Sequence, residues 1–212
     1  MIKLTKHKYF WNKFYNEACN LEKPSNFSIL IKKFLNKYNG IIIDAGCGNG
    51  RDLSYFVDNK FNMIGIDISK NAIEICKKKV SKKIHKNLFV KNFVKFDYKK
   101  IKKKISIYSR FTLHTISLKD EKIFLKKLEK IDNLDFLFIE TRSTKDNLYG
   151  KGKKVGKNEY VTDHYRRFIN KSELVNKLKK KFKILYIKES KGYSKFKNED
   201  PCLIRIIAQK IK

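Results

Sequence analysis

The sequence predicts a chain of the α/β class, a mostly parallel sheet with helices on both faces. Three observations carry this. Apolar runs of strand length alternate with amphipathic helical segments along the chain. The run Ile41–Ile43 ends in Asp44, breaks into glycines at Gly46, Gly48 and Gly50, and meets a helical segment at Arg51. A second run, Phe61–Ile66, ends in another acid, Asp67, about 20 residues past the turn, where sites of this kind hold ribose hydroxyls.

The elements follow in order. Residues 8–18 carry Tyr9, Phe10, Trp11, Phe14 and Tyr15, an aromatic helix. Pro24-Ser25 opens a second helix, with Ser25 as N-cap, Phe27, Leu30, Ile31, Phe34, Leu35 and Tyr38 at helical spacing, and Gly40 as its stop. The Asp44 strand, its helix from Arg51 and the Asp67 strand come next. A helix around Asn71–Lys79 and strands at Leu88–Phe93 and Ile105–Phe111 follow. Lys119–Ile131 reads as a helix with Ile123, Phe124, Leu128 and Ile131 inward, and Leu134–Thr141 as a fifth strand. Residues 142–168 show no periodicity and carry Gly150, Gly152 and Gly156, so they read as a long functional loop. Ser172–Phe182 is a helix, and Ile184–Glu189 and Leu203–Gln209 are the last strands, with no helix between them. At 212 residues one domain over 1–212 is expected, with lid or substrate helices in 1–39 and a substrate loop at 142–168.

Composition narrows the class. There is no 18-residue apolar stretch to span a membrane and no apolar core of a signal peptide behind Lys3, Lys6 and Lys8. Cys19, Cys47, Cys76 and Cys202 are scattered, which fits a reducing cytoplasm and argues against a zinc site. The net charge of +30 invites a nucleic-acid partner, but only six of the 51 basic residues are arginine. Lysines spread over most of the chain describe a solvated basic surface with salt-sensitive, nonspecific attraction to polyanions, not a specific groove. Where lysine serves for charge alone, arginine marks places that need a guanidinium fork. Five of the six (Arg51, Arg110, Arg142, Arg166, Arg167 and Arg205) fall in motif-like loops or strand ends.

The cofactor is read from the turn. A dinucleotide site needs Gly-x-Gly-x-x-Gly/Ala, and Arg51 stands at the last position. A phosphate-binding P-loop is missing; the stretch from Gly150 to Lys157 has the wrong spacing and ends in Asn158. The stretch Asp44–Gly50 instead resembles motif I of class I S-adenosylmethionine methyltransferases, Asp-x-Gly-x-Gly-x-Gly. That donor has no phosphates; an acid such as Asp44 suits its ammonium, and Asp67 its ribose. The resemblance implies a Rossmann-like class I methyltransferase fold, a seven-stranded sheet ordered 3-2-1-4-5-7-6 with an antiparallel last strand. It also places the donor among Trp11, Tyr15, Asp44, Gly46, Cys47, Gly48, Arg51, Asp52, Asp67, Ile68, Asn92, Phe93 and Tyr108.

The fourth strand ends Tyr108-Ser-Arg-Phe-Thr-Leu-His114, without the Asn/Asp-Pro-Pro-Tyr of base-directed amino methyltransferases. This is similar to a group of small bacterial methyltransferases carrying Tyr-Ser-Arg-Phe-x-Leu-His, many associated with capsule or surface-glycan biosynthesis. Trp11-x-x-Phe-Tyr15, Pro24-Ser25-x-Phe27, Glu140-Thr-Arg142-Ser, Tyr149-Gly-Lys-Gly152, Asp163-His-Tyr-Arg-Arg-Phe168 and Glu199-Asp-Pro201 resemble its other motifs. One departure is the family acid after strand 3, where Asn92-Phe93 stand here and Asp97 lies further on.

The resemblance implies O-methylation of a small anionic acceptor: a nucleotide sugar, phosphosugar or phosphoramidate precursor. A neutral hydroxyl acceptor requires a base, for which His114 and His164 are the candidates, whereas a charged phosphoryl oxygen requires none. Arg110 is catalytic or braces the strand-4 loop. Arg142, Arg166 and Arg167 form an anion clamp or a solvated cluster, with Tyr149 and Tyr165 lining the acceptor. Metal-dependent O-methylation needs a carboxylate cluster, and only Glu140 is evident, so no metal is expected. The alternatives are an RNA- or protein-directed methyltransferase and a non-catalytic protein that binds the donor.

Overall fold

A computed structural model describes residues 4–17, 23–196 and 198–211, and, within the first helix, the side chains of residues 8–16. Cys19 lies outside these. Seven strands form one sheet in the order β3-β2-β1-β4-β5-β10-β9. Numbered within that sheet alone, this is the expected 3-2-1-4-5-7-6. By internal packing the chain divides at Ile107/Tyr108, inside β4 (Ile105–Arg110).

In residues 1–107, β1 (Ile41–Ala45), β2 (Asn62–Asp67) and β3 (Leu88–Val90) pair in parallel, with Asp44 beside Gly65 and Ala45 beside Ile66. Ile42, Ile43, Met63 and Ile66 are buried, as strands covered on both faces demand. Helix α3 (Arg51–Asp58) packs Leu53 and Phe56 inward, and α4 (Lys70–Lys79) packs Ala72, Ile73 and Cys76. Helix α1 (Leu4–Glu17) lies against α4.

Helix α2 (Asn26–Phe34) starts as expected, with Ser25 accepting the Ser28 N–H at 3.0 Å. It ends well before Gly40, because Lys37 adopts a left-handed φ of 61° and Tyr38 turns back to donate its N–H to the Leu35 carbonyl. Phe34, the last helical residue, is 38 % exposed.

In residues 108–212, β5 (Leu134–Arg142), β9 (Phe182–Ser190) and β10 (Leu203–Lys210) are antiparallel, β10 lying between the other two. Helix α5 (Leu118–Glu129) buries Glu121, Phe124, Leu125 and Leu128, while Ile123 is exposed, contrary to expectation. Helix α6 is Lys171–Leu178. The segment read as a loop contains a small antiparallel sheet, β6 (Lys153–Gly156), β7 (Glu159–Val161) and β8 (Tyr165–Arg167).

Candidate functional site

The glycine turn is built by its neighbours. The Gly46 and Cys47 amides both donate to the Ile66 carbonyl, at 2.7 and 3.0 Å, which ties the turn to the end of β2. Gly50 has φ of +77° and begins α3; a Cβ there would run into the Cys76 thiol, so glycine is required twice over. Gly48 has φ of +54° and lies against the Tyr15 hydroxyl.

Asp67 stands 8 % exposed at the end of β2. Its two carboxylate oxygens accept the Gly48 N–H at 2.9 Å and the Ser69 N–H at 2.8 Å. Burial raises its pKa from the ordinary aspartate value, against these hydrogen bonds. Ser69 caps α4 and donates its hydroxyl to the Asn12 side-chain oxygen at 2.7 Å. Asn71 also donates to Asn12 and Asn16, so α1 is pinned beside the turn. Asn12 and Ser69 escaped the sequence reading; a serine two residues past a strand-ending acid, preceding a helix, was the available signal for Ser69. Trp11 and Tyr15 lie half-buried in the aromatic cluster of α1, whereas Tyr9 is 72 % exposed.

Asp44 is buried at the end of β1. Asp52 is tied into the fold. Its carboxylate accepts the Ser25 amide and hydroxyl at 2.7 and 2.8 Å and the Ser28 hydroxyl at 3.1 Å, fixing the start of α2. Arg51 donates to the Lys23 carbonyl. The Cys47 thiol touches Cys76, and that contact together with burial keeps it protonated, its pKa well above the ordinary cysteine value. The Asn92 side chain accepts the Val94 N–H and the Phe93 carbonyl accepts the Tyr98 hydroxyl, shaping the turn after β3. Asp97 begins a 3₁₀ turn, its side chain mostly in solvent 3.9 Å from Lys100. Ile68 follows Asp67 directly, and Tyr108 is buried in β4.

These residues fit S-adenosylmethionine. Two acids end adjacent parallel strands beside a glycine turn, and no lysine stands in that turn to meet a phosphate.

In the second unit, Phe111 holds a left-handed φ of 57°, uncommon for a residue with a side chain. Its amide donates to the Glu140 carbonyl, the Arg110 guanidinium stacks 4.4 Å from its ring, and the chain enters the 3₁₀ turn Leu113–Thr115 that carries His114. Arg110 and Arg205 grip the fully buried Glu140 at 2.9 and 2.6 Å. Arg167 donates to the Leu113 and Ile116 carbonyls at 3.1 and 3.0 Å and to Glu121 at 2.5 Å, bracing the His114 turn from below. Tyr165 adds a 3.4 Å bond to the Ile116 carbonyl.

Arg142 pairs with Asp146 at 3.2 Å and with Glu199, and Arg166 pairs with Asp163 at 2.6 Å. The three arginines read as a clamp therefore each carry a carboxylate partner. Tyr149 bonds Asn158 at 3.0 Å over the rings of Tyr160 and Phe168.

The two histidines differ. At His164, Nδ1 lies 2.8 Å from Asp163. Burial and the charge of Arg166 still push its pKa down to about 4, outweighing the acid. Burial first pushes Asp163 up, but hydrogen bonds from Arg166, Thr162 and His164 hold it far below the usual carboxylate range. At His114, 5 % exposed, Nδ1 lies 3.5 Å from the Arg142 backbone N–H and 3.3 Å from the Thr141 hydroxyl. Burial, then the charges of Arg142, His164, Arg166 and Arg167, hold its pKa well below the ordinary value. Among the described residues no group of three His, Cys, Asp or Glu side chains is placed to hold a metal, and no helix is long and apolar enough to cross a membrane.

Sheet order, glycine turn and paired strand-end acids define the class I methyltransferase architecture. Residues 42–131 match the family model described as a methyltransferase domain. Among proteins of curated function none matches the sequence. Solved structures share the fold. A SAM-dependent methyltransferase from Methanosarcina mazei superposes with a TM-score of 0.71 at 18% identity, over 86% of this chain and 97% of that one. One from Anabaena variabilis gives 0.67 at 18%, over 100% and 96%. The 1,6-didemethyltoxoflavin N1-methyltransferase of Burkholderia thailandensis, solved with its substrate and S-adenosylhomocysteine, gives 0.68 at 13%, over 97% and 87%.

Proposed function

We propose that the chain is an S-adenosylmethionine-dependent methyltransferase that methylates an oxygen of a small anionic acceptor in capsular or surface-polysaccharide biosynthesis. The acceptor is a nucleotide sugar, phosphosugar or phosphoramidate precursor. The observation that carries the donor is Asp67, held against the Gly48 amide at the end of β2, with Asp44 on the adjacent strand. The Asp67 oxygens already accept backbone N–H groups, and the lone-pair directions that remain take the ribose hydroxyls. Asp44 receives the ammonium, Tyr15 and Trp11 cover the glycine turn, and Asn92 and Phe93 lie at the adenine. When bound, the donor supplies an electrophilic methyl group on a sulfonium.

The acceptor half rests on the Tyr108–His114 motif and on the second unit's His114, His164, Arg142, Arg166 and Tyr149. Because the arginines already carry carboxylates, an anionic acceptor has to share them, which favours a weakly held, turned-over ligand over a tight phosphate site. The experiment is incubation of the purified chain with labelled S-adenosylmethionine and separate pools of nucleotide sugars, phosphosugars, RNA and protein. Label in the sugar pools is expected. Label in RNA or protein alone would replace the acceptor assignment, and donor binding without transfer to any pool would make this a binding protein.

A further inference from the structure

We infer that His114 is a neutral Nε2–H hydrogen-bond donor that positions the oxyanion of the acceptor, and that it does not remove a proton from it. This rests on the methyltransferase reading for the identity of the acceptor, though not for the state of the ring.

A backbone N–H can only donate. The Arg142 amide, 3.5 Å from Nδ1, therefore requires a lone pair on that nitrogen, and the Thr141 hydroxyl at 3.3 Å is free to donate to it as well. The proton of a neutral ring must then sit on Nε2. Among the described residues no hydrogen bond reaches Nε2, and His114 keeps 5 % of its surface exposed. Protonating the ring would set an Nδ1–H against the Arg142 N–H, in the field of Arg142 from β5, Arg166 and Arg167 from β8, and His164 before β8. The ring edge is held by the turn that Phe111 strains and Arg167 braces, with Phe111 packed edge-on at 5.4 Å.

A base would need a lone pair where this ring has a proton. A donor N–H instead matches an oxygen that already bears negative charge. With such an acceptor, the oxygen–carbon bond forms, the carbon–sulfur pair returns to sulfur, and no proton has to leave.

The test uses the full chain labelled with ¹⁵N in histidine. Two-bond ¹⁵N–¹H correlation assigns each ring's tautomer, with His114→Gln identifying the signal. The Nε2–H form is expected from pH 5 to 9, and inorganic phosphate, added with S-adenosylhomocysteine, is expected to shift the Nε2–H resonance saturably where equal chloride does not. An Nδ1–H tautomer, an imidazolium in that range, or a resonance indifferent to phosphate overturns the inference. Calorimetry of S-adenosylhomocysteine on the same sample reports separately on whether the donor reading holds.

Discussion

Replacing Asp67 with asparagine separates its two duties. In the fold, its oxygens accept the Gly48 and Ser69 amides at 2.9 and 2.8 Å. Asparagine keeps one carbonyl oxygen and turns an NH₂ donor toward the other amide. One charge-assisted bond is lost, costing about 1.5–3 kcal/mol. The burial penalty that raises the carboxyl's pKa disappears at the same time and offsets part of that cost. The variant should therefore fold. For the ligand, two hydroxyl bonds to a charged acceptor become one to a neutral oxygen, a loss of about 1.5–3 kcal/mol, or roughly 10–150-fold in Kd. Calorimetric titration with S-adenosylhomocysteine, beside circular dichroism, reads both. A folded Asp67→Asn variant with affinity within about twofold of the parent would refute the ribose assignment.

Further expectations follow from the same contacts. Glu140→Gln strips a buried acid from between Arg110 and Arg205 and should cost about 3–5 kcal/mol, lowering Tm by roughly 6–20 °C; an unchanged melting curve would contradict the pairing. Gly50→Ala meets a positive φ and the Cys76 thiol together, so it should lose at least about 1–2 kcal/mol in urea unfolding. His164 titrates near 4 when folded against about 6.5 unfolded, so its stabilisation is present above pH 6.5 and falls away toward pH 4 by at most about 3 kcal/mol. His164→Gln should therefore flatten the acid limb of stability, and an identical limb would argue against a buried neutral ring. Arg167→Lys gives up the fork on the Leu113 and Ile116 carbonyls, and exchange of the Thr115 amide should quicken about tenfold.

The parallel half was legible because its signals are local. Ile41–Asp44 and Phe61–Asp67 announce buried strands, and the alternate glycines fall between them. The antiparallel ending was legible from the missing helix between the last two strands. What escaped depends on partners distant in the chain. Strands β6 to β8 are three or four residues long, and β6 is mostly exposed lysine and valine with no apolar period, so they read as loop. Helix α2 ends where Lys37 takes a left-handed turn that lysine does not advertise. The rare arginines did mark places that need a guanidinium, but their partners Glu121, Glu140 and Glu199 lie tens of residues away, and spacing could not tell a ligand clamp from an internal brace. The bonds that Asp52 accepts from Ser25 and Ser28 come from a packing that only the folded chain reveals.

The central claim is that the Asp44–Gly50 turn with Asp67 holds S-adenosylmethionine. Titrating the full chain with S-adenosylhomocysteine by calorimetry tests it most directly. One saturable site per chain is the predicted result, unmatched by NADH or ATP. No heat with the thioether, or saturable heat with a dinucleotide instead, would contradict it.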